Sequence, residues 1–305
     1  MGGDIKMVHR SGLVAIVGPP NAGKSTLLNW FIGQKIAITS SKPQTTRNRI
    51  CGIATGSSYQ MLLLDTPGLH QARDVMNKEM VRVALESLEE ADVVLFLDDS
   101  AAMTEHVKVK RKKEYQAFFE YIRVPSLLAL NKIDLLEQEQ LLPLMQWYTE
   151  LHSFDSVVPI SALQGRGTDI LRDELIARLP EGPRYYPEDI PTDASERFIV
   201  SELIREKIFL LAREEIPYST AVFVEFFVEG MDKISPVVIH AAIVVERDSQ
   251  KGIIIGHRGK MLARIRAQAT ADIEQLLGCQ ARLHLWVKVR KNWTNNPQIL
   301  REIGL

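Results

Sequence analysis

The alternation of apolar and polar positions changes character partway along the chain. Apolar runs at 13–17, 49–54, 60–65, 92–98, 126–130 and 157–160 are separated by stretches of helical period at 76–88, 112–121, 139–151 and 169–179. The runs Val93-Val94-Leu95-Phe96-Leu97 and Leu127-Leu128-Ala129-Leu130 contain no polar position, as strands buried on both faces require. This predicts an α/β domain over 1–180, a mostly parallel sheet with helices on both faces. Pro180, Pro183, Pro187 and Pro191 can continue neither a helix nor a central strand, so 181–193 is read as a linker. Past it the order is different: a long helix over 196–216 with Ile199, Leu203, Phe209 and Leu210 near one side, then two antiparallel strands at 220–229 and 237–246. The apolar Gly252-Ile253-Ile254-Ile255, a turn, a helix over 260–277 and a strand over 282–289 follow. A second, α+β domain is therefore predicted over 194–305, ending in a tail.

Composition adds a partner. The chain of 305 residues is 46% hydrophobic and 25% charged, a globular balance at a length that suggests two domains. Its net charge of −1 hides an asymmetry, because 184–246 holds 6 basic and 12 acidic residues whereas 247–301 holds 11 basic and 3 acidic. A basic block of that kind points to a polyanion. Cys51 and Cys279 match no metal-ligand spacing, which suits a reducing compartment and no structural metal. No apolar run is long enough to cross a bilayer and the N-terminus lacks a signal-peptide core, so a cytoplasmic protein is expected. Met1-Gly2 opens like a myristoylation signal, but Lys6 stands where that signal needs Ser or Thr.

The chemistry begins at 18–25, Gly-Pro-Pro-Asn-Ala-Gly-Lys-Ser, a G-x-x-x-x-G-K-[ST] phosphate loop between a predicted strand and a helix opening at Thr26. Gly18 and Gly23 let the backbone around Asn21 and Ala22 curl so that its N–H groups and the helix N-terminus face an anion. Lys24 is expected on the β- and γ-phosphates, and the Ser25 hydroxyl on Mg²⁺. Asn131-Lys132-Ile133-Asp134 selects the base. The Asp134 carboxylate can accept from guanine N1–H and the exocyclic amine, a pair adenine lacks, with each charge-assisted bond contributing about 1.5–3 kcal/mol. The Lys132 stem is expected over the base, Asn131 is expected to tie this loop to the phosphate loop, and Ser161-Ala162 is expected to set the Ala162 N–H against guanine O6. Asp65-Thr66-Pro67-Gly68 puts Asp65 near Mg²⁺ and the Gly68 N–H near the γ-phosphate. A loop over 42–47 must supply a hydroxyl to Mg²⁺; Thr46 is the first choice and Thr45 the second. GTP/GDP with Mg²⁺ is therefore the expected cofactor set, and N-K-x-D argues against a P-loop kinase or ATPase.

The second domain carries Gly256-His257-Arg258-Gly259, a G-x-x-G loop of the KH type, which clamps the backbone of about four nucleotides. Lys260, Arg264, Arg266, Lys288, Arg290 and Lys291 supply charge around it. Six neutralised phosphates would cost about 10³-fold in RNA affinity between 50 and 200 mM salt. Trp286 is read as core rather than a stacking platform, and Trp293 as the tryptophan more open to stacking or to packing on the RNA-binding face. The run Lys108, Lys110, Arg111, Lys112, Lys113 is read as a solvated face opening a helix, with a ribosomal RNA contact as the alternative.

Together the phosphate loop, Gln44-Thr45-Thr46-Arg47-Asn48-Arg49-Ile50, the 65–70 segment, N-K-I-D, S-A-L and the 252–260 stretch resemble the Era family of Ras-like, translation-factor-related bacterial GTPases over nearly the whole chain. The resemblance implies a GTPase domain followed by a type II KH domain that binds the 3′ end of small-subunit (16S) ribosomal RNA in assembly of the 30S ribosomal subunit. The protein is expected to be a monomer, and the resemblance also implies peripheral contact with the inner membrane, for which the chain shows no motif. Family members often carry Lys and Gly between the loop glycines, whereas this chain has His257 and Arg258. Leu69 stands where Ras-type enzymes place a water-orienting Gln. In related GTPases an Asn at the position of Asn21 helps hold K⁺, so K⁺-stimulated hydrolysis is expected; His70 is read as a solvated residue rather than a base. The alternative function is an RNA-binding scaffold that GTP switches and in which hydrolysis is incidental.

Overall fold

The computed structural model of the chain describes residues 8–40, 42, 45–68, 75–230 and 235–302. They divide into two compact units, one made of Met1–Gly33, Arg49–His70 and Val81–Asp193, the other of Gln34–Asn48, Gln71–Met80 and Ala194–Leu305.

In the first unit the chain runs β1 (Arg10–Val17), α1 (Lys24–Ile32), β2 (Ile50–Thr55), β3 (Tyr59–Asp65), α2 (Val75–Glu90, of which 81–90 belong here), β4 (Val93–Asp99), α3 (Glu105–Phe119), β5 (Ser126–Asn131), α4 (Gln138–Leu151), β6 (Ser156–Pro159) and α5 (Thr168–Arg178). The sheet order is β2-β3-β1-β4-β5-β6, parallel throughout except for the β2–β3 pair. The strands without polar positions are the central ones, and Phe96 on β4 is fully buried against Tyr115 and Phe119 of α3 at centroid distances of 5.2 and 4.9 Å. Burying one such side chain contributes about 1.5–3 kcal/mol, which fixes α3 and α4 to this face. The opposite face takes α1, where Gly52 gives the room: a Cβ there would meet Leu28 Cδ1 at 2.6 Å.

The helix at α3 begins earlier than the periodicity predicts. Thr104 caps it through Val107 N–H (3.4 Å) and Glu105 occupies its first turn, so the basic run 108–113 lies inside the helix rather than opening it. Nor is the whole run solvated. Arg111 is half-buried and reaches Asp98 (3.2 Å), while Lys108 pairs with Glu105.

The proline stretch is a strap packed on the first unit. Its carbonyls accept from strand N–H groups (Ser11 to Pro180 O, 3.0 Å; Ile53 to Pro191 O, 2.8 Å), and the Gln60 side chain takes both the Tyr185 and Tyr186 N–H groups. Tyr186 and Ile190 pack on Cys51, Ile53, Leu62 and Leu64. An extended proline-rich chain keeps free acceptors, and here they cover the exposed edge of β2.

The second unit comprises α6 (Glu196–Leu211), β7 (Thr220–Val228), β8 (Val237–Val245), α7 (Asp248–Ile255), α8 (Lys260–Leu277), β9 (Ala281–Val289) and α9 (Pro297–Glu302). Strand β7 pairs antiparallel with β8, and β9 pairs parallel on its other side. Buried residues of α6, α7 and α8, among them Leu203, Ile208, Ile254, Ile265 and Ile273, form one core with Ile239, Ile243, Leu283 and Val287 of the sheet. Helix α6 stops at Leu211, five residues short of the prediction, and its last carbonyls are met by a side chain: Lys42 Nζ donates to Phe209 O and to Ala212 O (2.6 Å). Leu210, placed with the buried side by the sequence, is exposed. The run 252–255 is the last turn of α7, and α9 lies in the stretch read as a tail.

Segment 34–48 is held in this unit by charge. Lys35 Nζ donates to Glu206 (2.6 Å) and Asp272 (2.8 Å), Lys207 bonds the same two carboxylates, and Thr39 N–H donates to Glu206 (2.9 Å). Burial would raise the Asp272 carboxyl, but the bonds from Lys207 and Lys35 outweigh it and hold it below its ordinary value. Arg47 donates to the carbonyls of Thr220 (2.8 Å), Pro217 (3.0 Å) and Tyr218 (2.8 Å), and Arg205 donates to Thr45 O (2.5 Å).

Candidate functional site

At the carboxyl end of β1, flanked by β3 and β4, the chain turns through the phosphate loop into α1. Gly18 has φ 147, and a Cβ on it would stand 2.0 Å from Leu97 O on the neighbouring strand. Gly23 has φ 101 and would collide with Asn131 Nδ2 at 2.2 Å. Both positions therefore require glycine. Asn21 is exposed and left-handed at φ 63, a conformation Asn tolerates better than most residues. Lys24 is folded back over the loop, its Nζ donating to Gly18 O and Pro19 O, both at 3.0 Å. Burial pushes its pKa down to about 8, against the opposing pull of Asp65 and Asp98.

The metal chemistry expected of Ser25 and Asp65 has its donors side by side: Ser25 Oγ lies 2.6 Å from Asp65 Oδ2, a hydroxyl and a carboxylate at the end of β3. That oxygen pair suits a hard cation such as Mg²⁺. Thr66 Oγ1 anchors the turn to Ile16 O (2.8 Å), and Gly68 lies so close that a Cβ would meet Pro20 at 2.9 Å. Thr46 belongs to the other unit, buried in segment 34–48, where the Thr45 hydroxyl donates to Lys42 O (2.8 Å). Leu69 and His70 lie outside the described residues.

Asn131 does what the sequence expects and more. Its Nδ2 donates to Ala22 O (2.7 Å) in the phosphate loop, and its Oδ1 accepts from Ala162 N–H (2.9 Å). One side chain thus holds three loops in register. The Ala162 N–H, expected at guanine O6, donates here to Asn131. Lys132 is left-handed at φ 65 and ion-paired to Asp99 (2.5 Å), which fixes its stem; Asp134 follows in the next turn, partly exposed. Ser161 is fully buried, and Thr26 is in the first turn of α1.

Sequence reasoning missed Asp98. It is fully buried at the end of β4, and Tyr115 (2.5 Å), Tyr148 and Arg111 all reach it. Burial raises its carboxyl above the ordinary range, against those partners. The available signal was an acid closing an unbroken apolar strand.

In the second unit the G-x-x-G turn joins α7 to α8. Gly256 (φ 69) would place a Cβ 2.6 Å from Met261 Cβ, whereas Gly259 (φ 77) faces open space, so a sugar-phosphate chain can approach its backbone. Arg258 adopts φ 50, the left-handed conformation that a glycine would take freely. His257, Arg258, Lys260 and Arg264 are exposed around the turn. Further along α8 a groove of about 430 Å³ opens between that helix and β9, lined by Arg266, Thr270, Arg282 and His284. Arg282 and His284 were not predicted.

The remaining basic residues are elsewhere. Leu283 and Val287 face the helices, so Lys288 turns to the other side of the sheet, where it pairs with Glu225 (2.5 Å). Arg290 is partly buried over Phe223 (5.3 Å) and bonds Glu302; Lys291 is exposed at the strand's end. Trp286 is on the Lys288 side beside His240 (5.9 Å) rather than in the core, and Trp293 is fully buried with its Nε1 donating to Ser219 O (3.1 Å). The two tryptophans thus exchange the roles read from sequence. Polar neighbours disguise Trp293, which packs with Met76, Met80, Ala221, Val244 and Leu300.

Among the described residues no helix is long and apolar enough to cross a membrane. A family described as 50S ribosome-binding GTPase matches residues 13–132, and a KH domain family matches 215–294. The GTPase Era of Syntrophus aciditrophicus (strain SB) is 47% identical over 99% of this chain and 97% of its own length, and that of Geotalea uraniireducens (strain Rf4) is 50% identical over 97% of each. A crystal structure of Era in complex with MgGDPNP and nucleotides 1506–1542 of 16S ribosomal RNA superposes with a TM-score of 0.91 at 38% identity, covering 97% of this chain and 99% of that one. An Aquifex aeolicus Era variant bound to GDP and AlF4⁻ gives 0.90 at 39%, with the same coverage.

Proposed function

The chain belongs to the Era family of GTPases, and on that footing we propose that it hydrolyses GTP to GDP and phosphate, binds 16S ribosomal RNA near its 3′ end, and acts in assembly of the small ribosomal subunit. The observation that carries the nucleotide half is Asn131, which links the phosphate loop at Ala22 to the N-K-x-D and S-A-L loops by two buried hydrogen bonds. This holds the phosphate-binding and base-binding ends of one ligand at a fixed separation.

In this reading 1–180 is the GTPase domain, 181–193 the connection and 194–305 the KH domain. Lys24 and the N–H groups from Asn21 to Thr26, on the loop that Gly18 opens, take the phosphates. Ser25 and Asp65 would hold Mg²⁺, which when bound neutralises charge that develops between the β- and γ-phosphates. Thr46 is assigned the second hydroxyl and Gly68 the γ-phosphate contact. Asp134 accepts from guanine N1–H and the exocyclic amine, with the Lys132 stem across the base. Asn21 is assigned to K⁺. Gly256 to Lys260, with Arg264, grip the RNA backbone while the α8–β9 groove takes bases, which adds Arg282 and His284 and leaves Lys288 and Arg290 at the margin. The protein acts as a cytoplasmic monomer with only peripheral contact to the inner membrane.

Single-turnover hydrolysis with and without purified small ribosomal subunits tests the assignment. Stimulation by subunits, and GTP binding that ATP does not displace, are expected; displacement by ATP as effective as by GTP would overturn it. Equal rates in KCl and NaCl would remove K⁺ alone.

A further inference from the structure

The second unit contains a recess that neither the nucleotide site nor the G-x-x-G groove uses. It has a volume of about 330 Å³ and lies between the first turn of α6, strand β7, the end of segment 34–48 and α9. Four arginines line it: Arg47, Arg197, Arg205 and Arg301. Among the described residues two carboxylates line it with them, Glu202 and Glu302, and both are committed. Glu202 takes Arg205 Nε (2.7 Å) and Nη2 (2.5 Å), and Glu302 takes Arg290 (3.1 Å).

An excess of positive charge is thus set partly out of water. Arg205 is 2% exposed and Arg47 4%. Arg47 spends its Nη groups on backbone carbonyls, and burial followed by the like charge of Arg205 pushes its pKa down to about 9, only partly offset by Glu202. Arg205, one of the lining residues, has its Nη1 buried with no hydrogen-bond partner. A guanidinium N–H left unmet in low dielectric costs free energy that an anion would return. The amino-terminal turn of the 16-residue α6 adds the positive end of its dipole on the same side. Phe198 and Phe223 add apolar rings to the lining. The volume exceeds that of a bare oxyanion and falls at the small end of ligand cavities, about 300–1,000 Å³.

We propose that this recess is a second ligand site, for a nucleoside monophosphate group: the phosphate on Arg205 Nη1, Arg197 and Arg301, and the flat base against Phe198 and Phe223. The group comes either from a free mononucleotide or from one residue of a bound RNA chain.

Calorimetry on the full-length protein, kept saturated with Mg²⁺ and GDP so that the first site is filled, tests this with CMP, cytidine and inorganic phosphate as probes. CMP binding that inorganic phosphate competes away and that cytidine does not reproduce is expected. Arg197→Ala with Arg301→Ala, both at exposed positions, should weaken CMP at least about tenfold and leave GDP affinity unchanged. Arg205→Met should abolish CMP binding, and the exposed pair decides the matter if that variant does not fold. A second arm measures single-stranded RNA affinity against salt. If the double variant lowers the salt slope by about 0.7, one phosphate contact of an RNA chain has been lost and RNA is the source; an unchanged slope with weakened CMP identifies the free nucleotide. No CMP binding together with unchanged RNA binding, or CMP binding that the double variant leaves intact, overturns the proposal.

Discussion

Lys24 offers the sharpest quantitative test, because its geometry makes nucleotide binding a proton-uptake reaction. The ammonium is held against Gly18 O and Pro19 O, and burial brings its pKa to about 8 from 10.5. A polyphosphate at this loop stabilises the charged form and raises the pKa again. Above pH 8 the free protein must therefore collect a proton in order to bind. With a free pKa of about 8, Lys24 is about three-quarters neutral at pH 8.5, so binding should take up about 0.75 proton there and almost none at pH 6.5. Affinity should fall about fourfold between pH 7 and pH 8.5 for the same reason. The assay is GDP titration by calorimetry in buffers of different ionisation enthalpy, which counts protons directly. Zero uptake at pH 8.5 would mean that the lysine keeps its ordinary pKa and is not desolvated as the structure has it. Stability carries the opposite sign: between pH 8 and 10.5 the unfolded chain binds more protons at this group than the folded one, so stability of the nucleotide-free protein should rise through that window.

Three substitutions probe other parts of the argument. Asn131→Ala leaves Ala22 O and Ala162 N–H buried without a partner, at about 1–3 kcal/mol each, so a combined loss of about 2–6 kcal/mol across folding stability and GDP affinity is expected; urea unfolding with GDP titration that shows less than about 1 kcal/mol in total would contradict the bridging role. Tyr148→Phe keeps the ring and deletes a hydrogen bond to the buried Asp98, for about 1.5–3 kcal/mol in denaturant unfolding, and an unchanged midpoint would show that this contact contributes nothing net. Gly256→Ala forces a side chain into a left-handed turn and against Met261, so RNA affinity should drop while GTP turnover without RNA is preserved; equal RNA binding by gel shift would remove the loop from the interface.

Local patterns made much of this readable. Strands buried on both faces announce themselves as unbroken apolar runs, and a glycine loop between strand and helix has few other uses. What escaped was set by partners far away in sequence. Arg205 and Glu206 look like ordinary polar positions of a helix until segment 34–48 is placed beside them, some 160 residues away from Thr45 and Thr39. The tryptophans were misjudged because strand alternation fixes the side but not which side is covered, and α9, which packs with Trp293, carried no strong signal. The run at 108–113 was read without its cap, since Thr104 sits four residues before the first lysine and declares the helix only once Val107 N–H is seen to use it.

Membership in a compact body does not follow the order of the chain here. A fragment ending at the prolines would carry away residues 34–48 yet leave behind Glu206, Asp272 and Arg205, to which they are tied. The complementary fragment would keep Lys207 on Glu206 but lose the Lys35 ammonium and the Thr39 N–H from that buried carboxylate. Dissection would thus report on two damaged parts rather than two autonomous ones, and turnover measured on the amino-terminal piece alone would underestimate the intact enzyme.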